Sequence, residues 1–458
     1  MKCLVITYGC KQNENDSERI KGVLASMDGE FCDDEKHADI IVFNTCNVRE
    51  GAANRLYGNI GALKALKQRN PGLIIVVCGC VTAEVDVQQK FKQSYPYVDI
   101  VIGTNSLHKL KDMLNEVLQK NMHTQDNSHT ITKNKHAAIY ALDEDFDIHE
   151  GIPQVRDCKF SATVPIMSGC NNFCTYCIVP YVRGRERSRE AQNIIDEVTA
   201  LSNDGCIEVT LLGQNVNSYK CPSTNINFAT LLRRVNQVKG IKRIRFISSH
   251  PKDFNPEVIS AMAECDNICP QLHLPFQSGS DIILNDMNRK YTRTDYINLI
   301  TMARQAIPGL TITSDCIVGF PTETQADFDQ TLDLIKTLKL DMLFTFIYSR
   351  RSGTKAAKYA FAMSKDEIKR NFDELVKTQN EISNQINQKM VGNVVEVLVE
   401  GVSKKNEAMY SGRTPGGKIV NFKADKLDSV DNAASLIGTL VNTKIISANT
   451  FAFIGEQV

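Results

Sequence analysis

Apolar and polar positions alternate along residues 1–120 in a way that predicts strands followed by helices. Short apolar runs, typical of buried strands, occur at 3–7, 40–43, 73–77 and 98–102. Each precedes a longer amphipathic stretch, such as 50–69 or 106–118. Strands that alternate with helices in this way form a parallel sheet with helices on its faces. We therefore expect a first α/β domain over 1–120.

Residues 121–155 break this pattern, because they are polar and carry a proline at 153, and we predict a linker there. Alternation returns over 156–385, with six predicted strands near 162–168, 207–212, 244–248, 272–276, 311–318 and 343–348. Six strand–helix units are too few to close an eight-stranded barrel. A partial (βα)6 barrel of the TIM type fits this domain better.

The last segment, 386–458, has a different pattern again. Short β runs separated by glycines occur at 394–399, 408–411, 419–422, 440–447 and 451–454. This pattern is typical of a small all-β barrel or sandwich. The whole chain is thus predicted as α/β, with a Rossmann-like parallel sheet first, a partial barrel second and a small β domain last.

Charge and cysteine content narrow the function classes. The 458 residues carry 53 basic and 53 acidic side chains, a balance that argues against a protein that coats polyanions. The longest apolar run, 73–81, is too short to span a bilayer, and no signal-peptide pattern follows Met1. We therefore expect a cytoplasmic protein that is not bound to a membrane. Fifteen cysteines, an odd number, argue against a disulfide framework in such a protein. Their spacing has to show what they do.

The strongest chemical pattern is Cys170, Cys174 and Cys177, which follow the first predicted strand of the barrel. Three thiolates at this spacing can bind three irons of a [4Fe–4S] cluster and leave the fourth iron open. A structural zinc site needs a fourth ligand, and no cysteine or histidine follows nearby. Three incidental thiols in a loop are the alternative.

The residues around this triplet are similar to those of a known family. Residues 165–170 (PIMSGC) and 177–189 (CIVPYVRGRERSR) resemble the radical S-adenosylmethionine (SAM) enzymes, and more narrowly their methylthiotransferase branch. The resemblance implies that SAM chelates the open iron and is cleaved to methionine and a 5′-deoxyadenosyl radical. It also implies that Tyr176 lies near the adenine of SAM.

A second set of cysteines occurs in the first domain. Cys10, Cys46 and Cys80 each lie just past the carboxyl end of a predicted parallel strand, where loops converge. Spacing alone leaves buried core thiols as an alternative. The runs YGCKQNENDS and NTCNVRE resemble the amino-terminal domain of the same family, which implies an auxiliary [4Fe–4S] cluster on these three cysteines. Cys78 competes with Cys80, which we prefer because it lies nearer the loop and follows Gly79.

The resemblance also implies a substrate. Residues 44–50 fit the branch that acts on N6-isopentenyladenosine in tRNA, and 411–422 resemble the RNA-binding TRAM domain of that branch. Gly51, Pro415 and the pair Val81-Thr82 depart from the usual family residues. The implied reaction adds sulfur and a methyl group at C2 of isopentenyladenosine 37, giving 2-methylthio-N6-isopentenyladenosine.

This reaction implies several partners. It would use two SAM molecules per turnover, the tRNA anticodon stem-loop, and a low-potential electron donor of the flavodoxin or ferredoxin type; we expect a monomer. Two alternatives stay open: a methylthiotransferase acting on threonylcarbamoyladenosine in tRNA or on a ribosomal protein, and a non-catalytic iron–sulfur RNA-binding regulator.

Further residues are candidates for contacts with SAM and RNA. Polar residues at predicted strand ends suit a SAM site at a barrel mouth, although plain turns are the alternative: Gln214, Ser248, Gln277 and Asp315. Alternating arginines beside the cluster loop, together with one in the β domain, are predicted to bind phosphates: Arg183, Arg185, Arg187, Arg189 and Arg413. A rim of salt bridges to Glu186 and Glu190 is the alternative for the first four.

Overall fold

The first domain is a parallel sheet with helices on both faces, as its pattern predicts. The structure is a computed structural model that describes residues 1–46, 50–126, 138–142, 148–423 and 436–458. The strands are β1 (Lys2–Tyr8), β2 (Glu30–Phe31), β3 (Ile40–Thr45), β4 (Ile74–Cys78), β5 (Ile100–Ile102) and β6 (Ile139–Ala141). The helices are α1 (Lys11–Ala25), α2 (Glu50–Arg69), α3 (Val85–Ser94) and α4 (Leu110–Asp126). The sheet order is β2-β1-β3-β4-β5-β6, and β3 and β4 are buried along their whole length.

The segment predicted as a linker contributes to this domain. Helix α4 extends to Asp126, and β6 pairs in parallel with β5. Further on, Gln154 Nε2 donates to Glu18 on α1 at 2.7 Å. Strand β6 has only three residues and pairs with β5, which lies far away in sequence. The polar composition of the segment around β6 therefore does not reveal the strand. Residues 127–137 and 143–147 of the predicted linker lie outside the described residues.

The central domain is a partial barrel of six parallel strands. The barrel strands are β7 (Ser161–Pro165), β10 (Glu208–Leu212), β11 (Arg243–Phe246), β12 (Gln271–His273), β13 (Thr311–Val318) and β14 (Met342–Ile347). Two short strands, β8 (Met167–Ser168) and β9 (Arg187–Ser188), form a separate pair. The helices of this domain are α5 (Val179–Val182), α6 (Ala191–Asn203), α7 (Phe228–Asn236), α8 (Pro256–Glu264), α9 (Asp281–Asp286), α10 (Arg293–Ala306), α11 (Gln325–Leu338) and α12 (Lys365–Gln388). None of the described helices combines the length and apolar character needed to cross a bilayer.

Two three-stranded sheets, β11-β10-β7 and β12-β13-β14, make up the barrel wall. A parallel bridge between Ile244 and Ile268 joins them. Strands β7 and β14 are the two ends of this order, so the barrel is open between them in the described part of the chain. The short antiparallel pair β8 and β9 flanks the cysteine loop. The expected partial (βα)6 barrel is confirmed.

The last domain is a closed five-stranded barrel. Its strands are β15 (Val394–Ser403), β16 (Asn406–Arg413), β17 (Ile419–Lys423), β18 (Leu440–Ala448) and β19 (Ala452–Gln457), in the order β15-β16-β17-β19-β18. Tyr410, Phe422 and Phe453 fill its interior. The predicted small all-β fold is confirmed.

One loop, 413–418, docks the β barrel onto the central domain. Arg245 of β11 donates to the carbonyl oxygens of Pro415 (2.8 Å) and Thr414 (2.9 Å). Gly417 has a φ of +80°, and a Cβ there would lie 2.6 Å from the side chain of Gln271. Gln271 is the first residue of β12, and Arg243, the first residue of β11, donates its Nη1 to Arg413 O at 2.8 Å. The loop therefore packs at the end of the central barrel opposite the cysteine loop.

Candidate functional site

The loop that carries Cys170, Cys174 and Cys177 (the central triad) is held by backbone contacts. Cys170 N–H donates to Gly184 O at 3.2 Å, and Thr175 N–H donates to Met287 O at 3.1 Å. Gly169 has a φ of +80°, and a Cβ there would lie 2.0 Å from Arg185 O, so only glycine allows this crossing. These contacts tie the loop to the segment at 184–185 and to the end of α9.

The thiols of the central triad repel one another as thiolates. Burial, followed by the nearby charge of Cys174, raises the pKa of Cys177 to about 12. Burial also raises the pKa of Cys170, and Cys174 contributes again. Because burial and the neighbouring thiolate charge disfavour ionisation of Cys170 and Cys177, a cation is needed to hold them as thiolates. This behaviour fits the binding of a metal cluster.

Arg289, which the sequence analysis missed, supplies one buried positive charge at this triad. Its Nη1 donates to Cys174 Sγ at 3.5 Å and to the Tyr176 hydroxyl at 3.4 Å. Its Nη2 donates to Pro275 O at 2.9 Å. Hydrogen bonds to ligand sulfurs are one of the ways in which a protein sets a cluster's potential.

Cys10, Cys46 and Cys80 (the amino-terminal triad) lie at one edge of the first sheet, as their positions predict. Cys10 is the N-cap of α1, and its N–H donates to Asn13 Oδ1 at 3.3 Å. A hydrogen bond from the Cys46 side chain lowers the pKa of Cys10 to about 6, although burial opposes this. The positive end of the helix dipole also favours a thiolate there. Asn47, Val48 and Arg49 of the second motif lie outside the described residues.

Gly79 separates Cys78, the last residue of β4, from the competing thiol of Cys80. Its φ is +102°, and a Cβ there would lie 2.3 Å from Thr45 O, so only glycine permits the turn. Cys78 stays in an apolar cluster with Val76 and Ile102, and burial raises its pKa well above the usual range. Cys80, past the turn, interacts electrostatically with Cys10. This placement favours Cys80 as the third ligand.

Arg183 joins the two triads. It follows the central triad in sequence, yet its Nε donates to Cys80 Sγ at 3.3 Å and its Nη2 to Asp16 Oδ2 at 2.9 Å. Arg183 is only 6% exposed and Asp16 only 5%. Burial acts to lower the pKa of Arg183, but the charges of Cys80 and Asp16 raise it above its usual value. A buried ion pair thus connects the first domain to the barrel.

The four arginines after the central triad do not form one surface. Arg183 and Arg189 are buried, and Arg189 pairs with Glu150 and Glu197, each at 2.7 Å. Their burial and carboxylate partners do not suit the predicted phosphate clamp, nor are these the rim salt bridges to Glu186 and Glu190 that were its alternative. The carboxylates that pair with them come from other elements, Asp16 from α1 and Glu197 from α6, so the spacing of the arginines alone does not reveal these pairs.

The other predicted RNA-binding arginines remain accessible to different degrees. Arg185 is exposed and lies 4.4 Å from the Phe173 ring centroid. Arg187 is half-buried, with its Nη2 donating to Arg183 O. Arg413 is exposed and pairs with Glu400 at 2.9 Å. Arg185 and Arg413 are the better candidates for phosphate contacts.

The predicted SAM-contacting residues lie around the carboxyl ends of the barrel strands. Gln214 Oε1 accepts the Gly169 N–H at 2.6 Å, so this residue supports the cysteine loop. Ser248 and Gln277 both have a φ of +68°, a conformation that costs a non-glycine residue about 1–3 kcal/mol. Such strain is typical of ligand sites. Asp315 Oδ2 lies 3.5 Å from His273 Nε2 on the neighbouring strand β12.

Several buried polar atoms at this rim have no hydrogen-bond partner within the described residues. They include Gln277 Oε1, Ser249 Oγ and His250 Nε2. Burial, reinforced by Arg289 and Lys252, lowers the pKa of His250 to about 2, so its imidazole is neutral. Buried polar groups almost always find partners, which leaves these for a polar ligand. This mixture of hydrogen-bond donors and acceptors fits SAM at this rim.

A single-ion site and a cluster make different demands on the thiols. Among the described residues, no three cysteine, histidine, aspartate or glutamate side chains are arranged to bind one metal ion. In a [4Fe–4S] cluster each thiolate binds a different iron, so the thiols need not converge on one point.

Comparisons with known proteins agree with the three domains. The radical SAM superfamily matches residues 164–335, the uncharacterized protein family UPF0004 matches 2–103, and the TRAM domain matches 388–458. A tRNA-2-methylthio-N(6)-dimethylallyladenosine synthase of Acetivibrio thermocellus is 46% identical over 99% of this chain and 90% of its own length. Proteins of the same name from Clostridium perfringens and Clostridium botulinum are each 47% identical over 99% of this chain, and over 97% and 96% of their own lengths.

Solved structures are similar in fold. The radical SAM methyltransferase TsrM from Kitasatospora setae superposes with a TM-score of 0.54 at 13% identity, covering 78% of this chain and 77% of that one. The cobalamin-dependent radical enzyme OxsB, in its apo form, gives a TM-score of 0.51 at 14% identity, covering 82% and 56%. At these identities the likeness concerns the fold alone.

Proposed function

The chain belongs to the family of tRNA-2-methylthio-N(6)-dimethylallyladenosine synthases, and from this premise we propose how its residues perform that reaction. It is a radical SAM methylthiotransferase that modifies N6-isopentenyladenosine in tRNA to the 2-methylthio derivative. The alternative substrates and the non-catalytic alternative are not favoured. The observation that carries this function is the near-full-length match to enzymes of that name, in a chain that keeps both cysteine triads.

The enzyme uses two [4Fe–4S] clusters and SAM. We assign one cluster to the central triad and the auxiliary cluster to the amino-terminal triad. When bound, the first supplies the electron that cleaves SAM, and the second supplies sulfur. Gln277, Ser249 and the neutral His250 would offer their unpaired polar atoms to SAM.

Residues outside the two triads fix the positions of these sites relative to one another. The Arg183–Asp16 pair fixes the first domain against the barrel, and Gln214 fixes the turn at Gly169. The half-exposed polar residues Thr313 and Asp315 point into the barrel, while Ile312 and Cys316 face the helices. The reacting C2 carbon carries no acidic proton, so general acid–base catalysis cannot activate it, and a shielded radical site is required.

RNA reaches this site as an unpaired nucleotide. An anticodon loop presents splayed bases, and enzymes that act on a base need it out of the stack. We propose nucleotide 37 of the anticodon stem-loop as the target, with Arg185 and Arg413 contacting phosphates. We further propose a flavodoxin- or ferredoxin-type electron donor, action as a monomer, and a cytoplasmic location, where tRNA is found.

Deleting the gene and analysing tRNA nucleosides by mass spectrometry tests this function. We expect 2-methylthio-N6-isopentenyladenosine to disappear and N6-isopentenyladenosine to accumulate, with rescue by the wild-type gene and not by Cys80→Ala. Unchanged methylthiolation, or loss of methylthio groups from threonylcarbamoyladenosine or a ribosomal protein instead, would contradict it.

A further inference from the structure

Two large apolar side chains are exposed inside the open barrel. Phe344 and Phe346 lie on β14, the end strand of the wall, and are 46% and 44% exposed. Leu343, the residue before Phe344 on the same strand, packs into the core that the barrel shares with its helices. Because side chains alternate along a strand, Phe344 and Phe346 point to the opposite, inner face.

Contacts across the sheet confirm this direction. Phe344 pairs in register with Asp315 of β13, and its ring meets His273 edge-to-face with centroids 5.9 Å apart. Asp315 and His273 also contact one another. One end of the two-phenylalanine surface, which we name the inner wall, therefore lies beside polar groups of the barrel interior.

The other end of the inner wall approaches the central triad. Phe346 pairs in register with Ile317, and Ile317 packs in the same apolar cluster as Tyr176, between Cys174 and Cys177. Successive residues on one face of a strand are about 7 Å apart. The inner wall therefore runs along the barrel interior toward the loop at which SAM is cleaved.

The free edge of β14 gives access to this wall. No strand in the described part of the chain pairs with that edge. At the carboxyl end of β14 the chain continues to Arg350, whose side chain is exposed. An apolar surface inside and a positive charge at the rim match a nucleotide that carries an apolar group on its base and a phosphate outside.

We propose that Phe344 and Phe346 bind the branched five-carbon isopentenyl group of the target nucleotide, with Arg350 at the phosphate side. This assignment rests on the proposed function, since it names the part of that substrate the wall recognises. SAM is a poorer occupant, because it is zwitterionic and the unpaired polar atoms near Gln277 suit it better. An adenosine without the prenyl group would leave both rings exposed to water.

The test compares two tRNAs that differ only in the isopentenyl group on adenosine 37. Kd for each tRNA, and kcat/KM for methylthiolation, are measured with reconstituted wild type, Phe344→Ala, Phe346→Ala and Phe344→Leu. Phe31→Ala is the control, because Phe31 is 43% exposed but lies on β2, outside the barrel.

We expect wild type to prefer the prenylated tRNA and each alanine variant to lose about tenfold of that preference. Phe344→Leu should keep most of it, and the control all of it. Unchanged preference in both alanine variants would overturn the proposal, as would a rise in the Kd for SAM without loss of preference, which would assign the wall to SAM.

The two levels of the proposal fail differently. If wild type binds the prenylated tRNA preferentially but methylthiolates neither tRNA, the proposed function fails and the wall stands. If wild type methylthiolates both tRNAs with equal kcat/KM and binds them equally, the wall fails and the reaction class stands. Circular dichroism and iron content of each variant identify loss of folding. If an alanine variant does not fold, the preference of Phe344→Leu is compared with that of wild type instead.

Discussion

Removing Arg183 should loosen the first domain from the barrel. Its guanidinium and the Asp16 carboxylate are both almost fully buried and lie 2.9 Å apart, and they belong to different domains. Replacing one partner of a buried ion pair leaves the other charge without compensation, which costs about 3–5 kcal/mol. Arg183→Met keeps much of the side-chain volume, so the lost charge dominates the effect.

The magnitude can be measured locally by hydrogen exchange. A loss of about 3–5 kcal/mol corresponds to amide exchange about 10²- to 4 × 10³-fold faster, at 1.4 kcal/mol per factor of ten. We expect this acceleration in peptides of α1, which carries Asp16, measured by mass spectrometry on the iron-free protein. Arg185 is an exposed residue close to Arg183 in sequence, so Arg185→Met should change the free energy of opening in these peptides by no more than about 0.5 kcal/mol.

A double variant tests whether the Arg183–Asp16 ion pair itself holds the interface. Asp16→Asn with Arg183→Met removes both charges, so much of the exchange protection should return. If the single variant exchanges at the wild-type rate, or if the double variant loses as much as the sum of the two single variants, the pair does not hold the interface.

Other predictions concern the clusters and the domain contacts. Reconstituted protein should bind about eight irons, and alanine in the central triad should abolish SAM cleavage, whereas alanine in the amino-terminal triad should block only sulfur insertion; iron analysis and deoxyadenosine assays test this. In iron-free protein the low pKa of Cys10 keeps its thiolate from about pH 6 upward, so iodoacetamide labelling should have its midpoint there and shift to higher pH in Cys46→Ala. Cys78→Ala should cost about 1 kcal/mol and leave tRNA methylthiolation intact; loss of activity there, with full activity in Cys80→Ala, would reverse the ligand assignment. Arg245→Ala should undock the β barrel, seen as faster proteolysis between the central and last domains, and an unchanged cleavage rate would contradict that contact.

Features with a local pattern were predictable from the sequence, whereas features that depend on distant partners were not. The six barrel strands and the turn at Gly79 follow from periodicity and backbone stereochemistry. Strand β6 was missed, because its bonds come from β5. The role of Arg183 was missed because its partner Asp16 lies 167 residues away in sequence. The loop 413–418 likewise takes its docking role from Arg245, which no local pattern reveals.

The central claim is tested most directly by incubating anaerobically reconstituted enzyme with SAM, a reductant and tRNA that carries isopentenyladenosine. Liquid chromatography and mass spectrometry of the digested tRNA identify the product. We expect 2-methylthio-N6-isopentenyladenosine from wild type, none from Cys80→Ala, and deoxyadenosine from both. Deoxyadenosine without any methylthiolated nucleoside from wild type, or product at the wild-type level from Cys80→Ala, would contradict it.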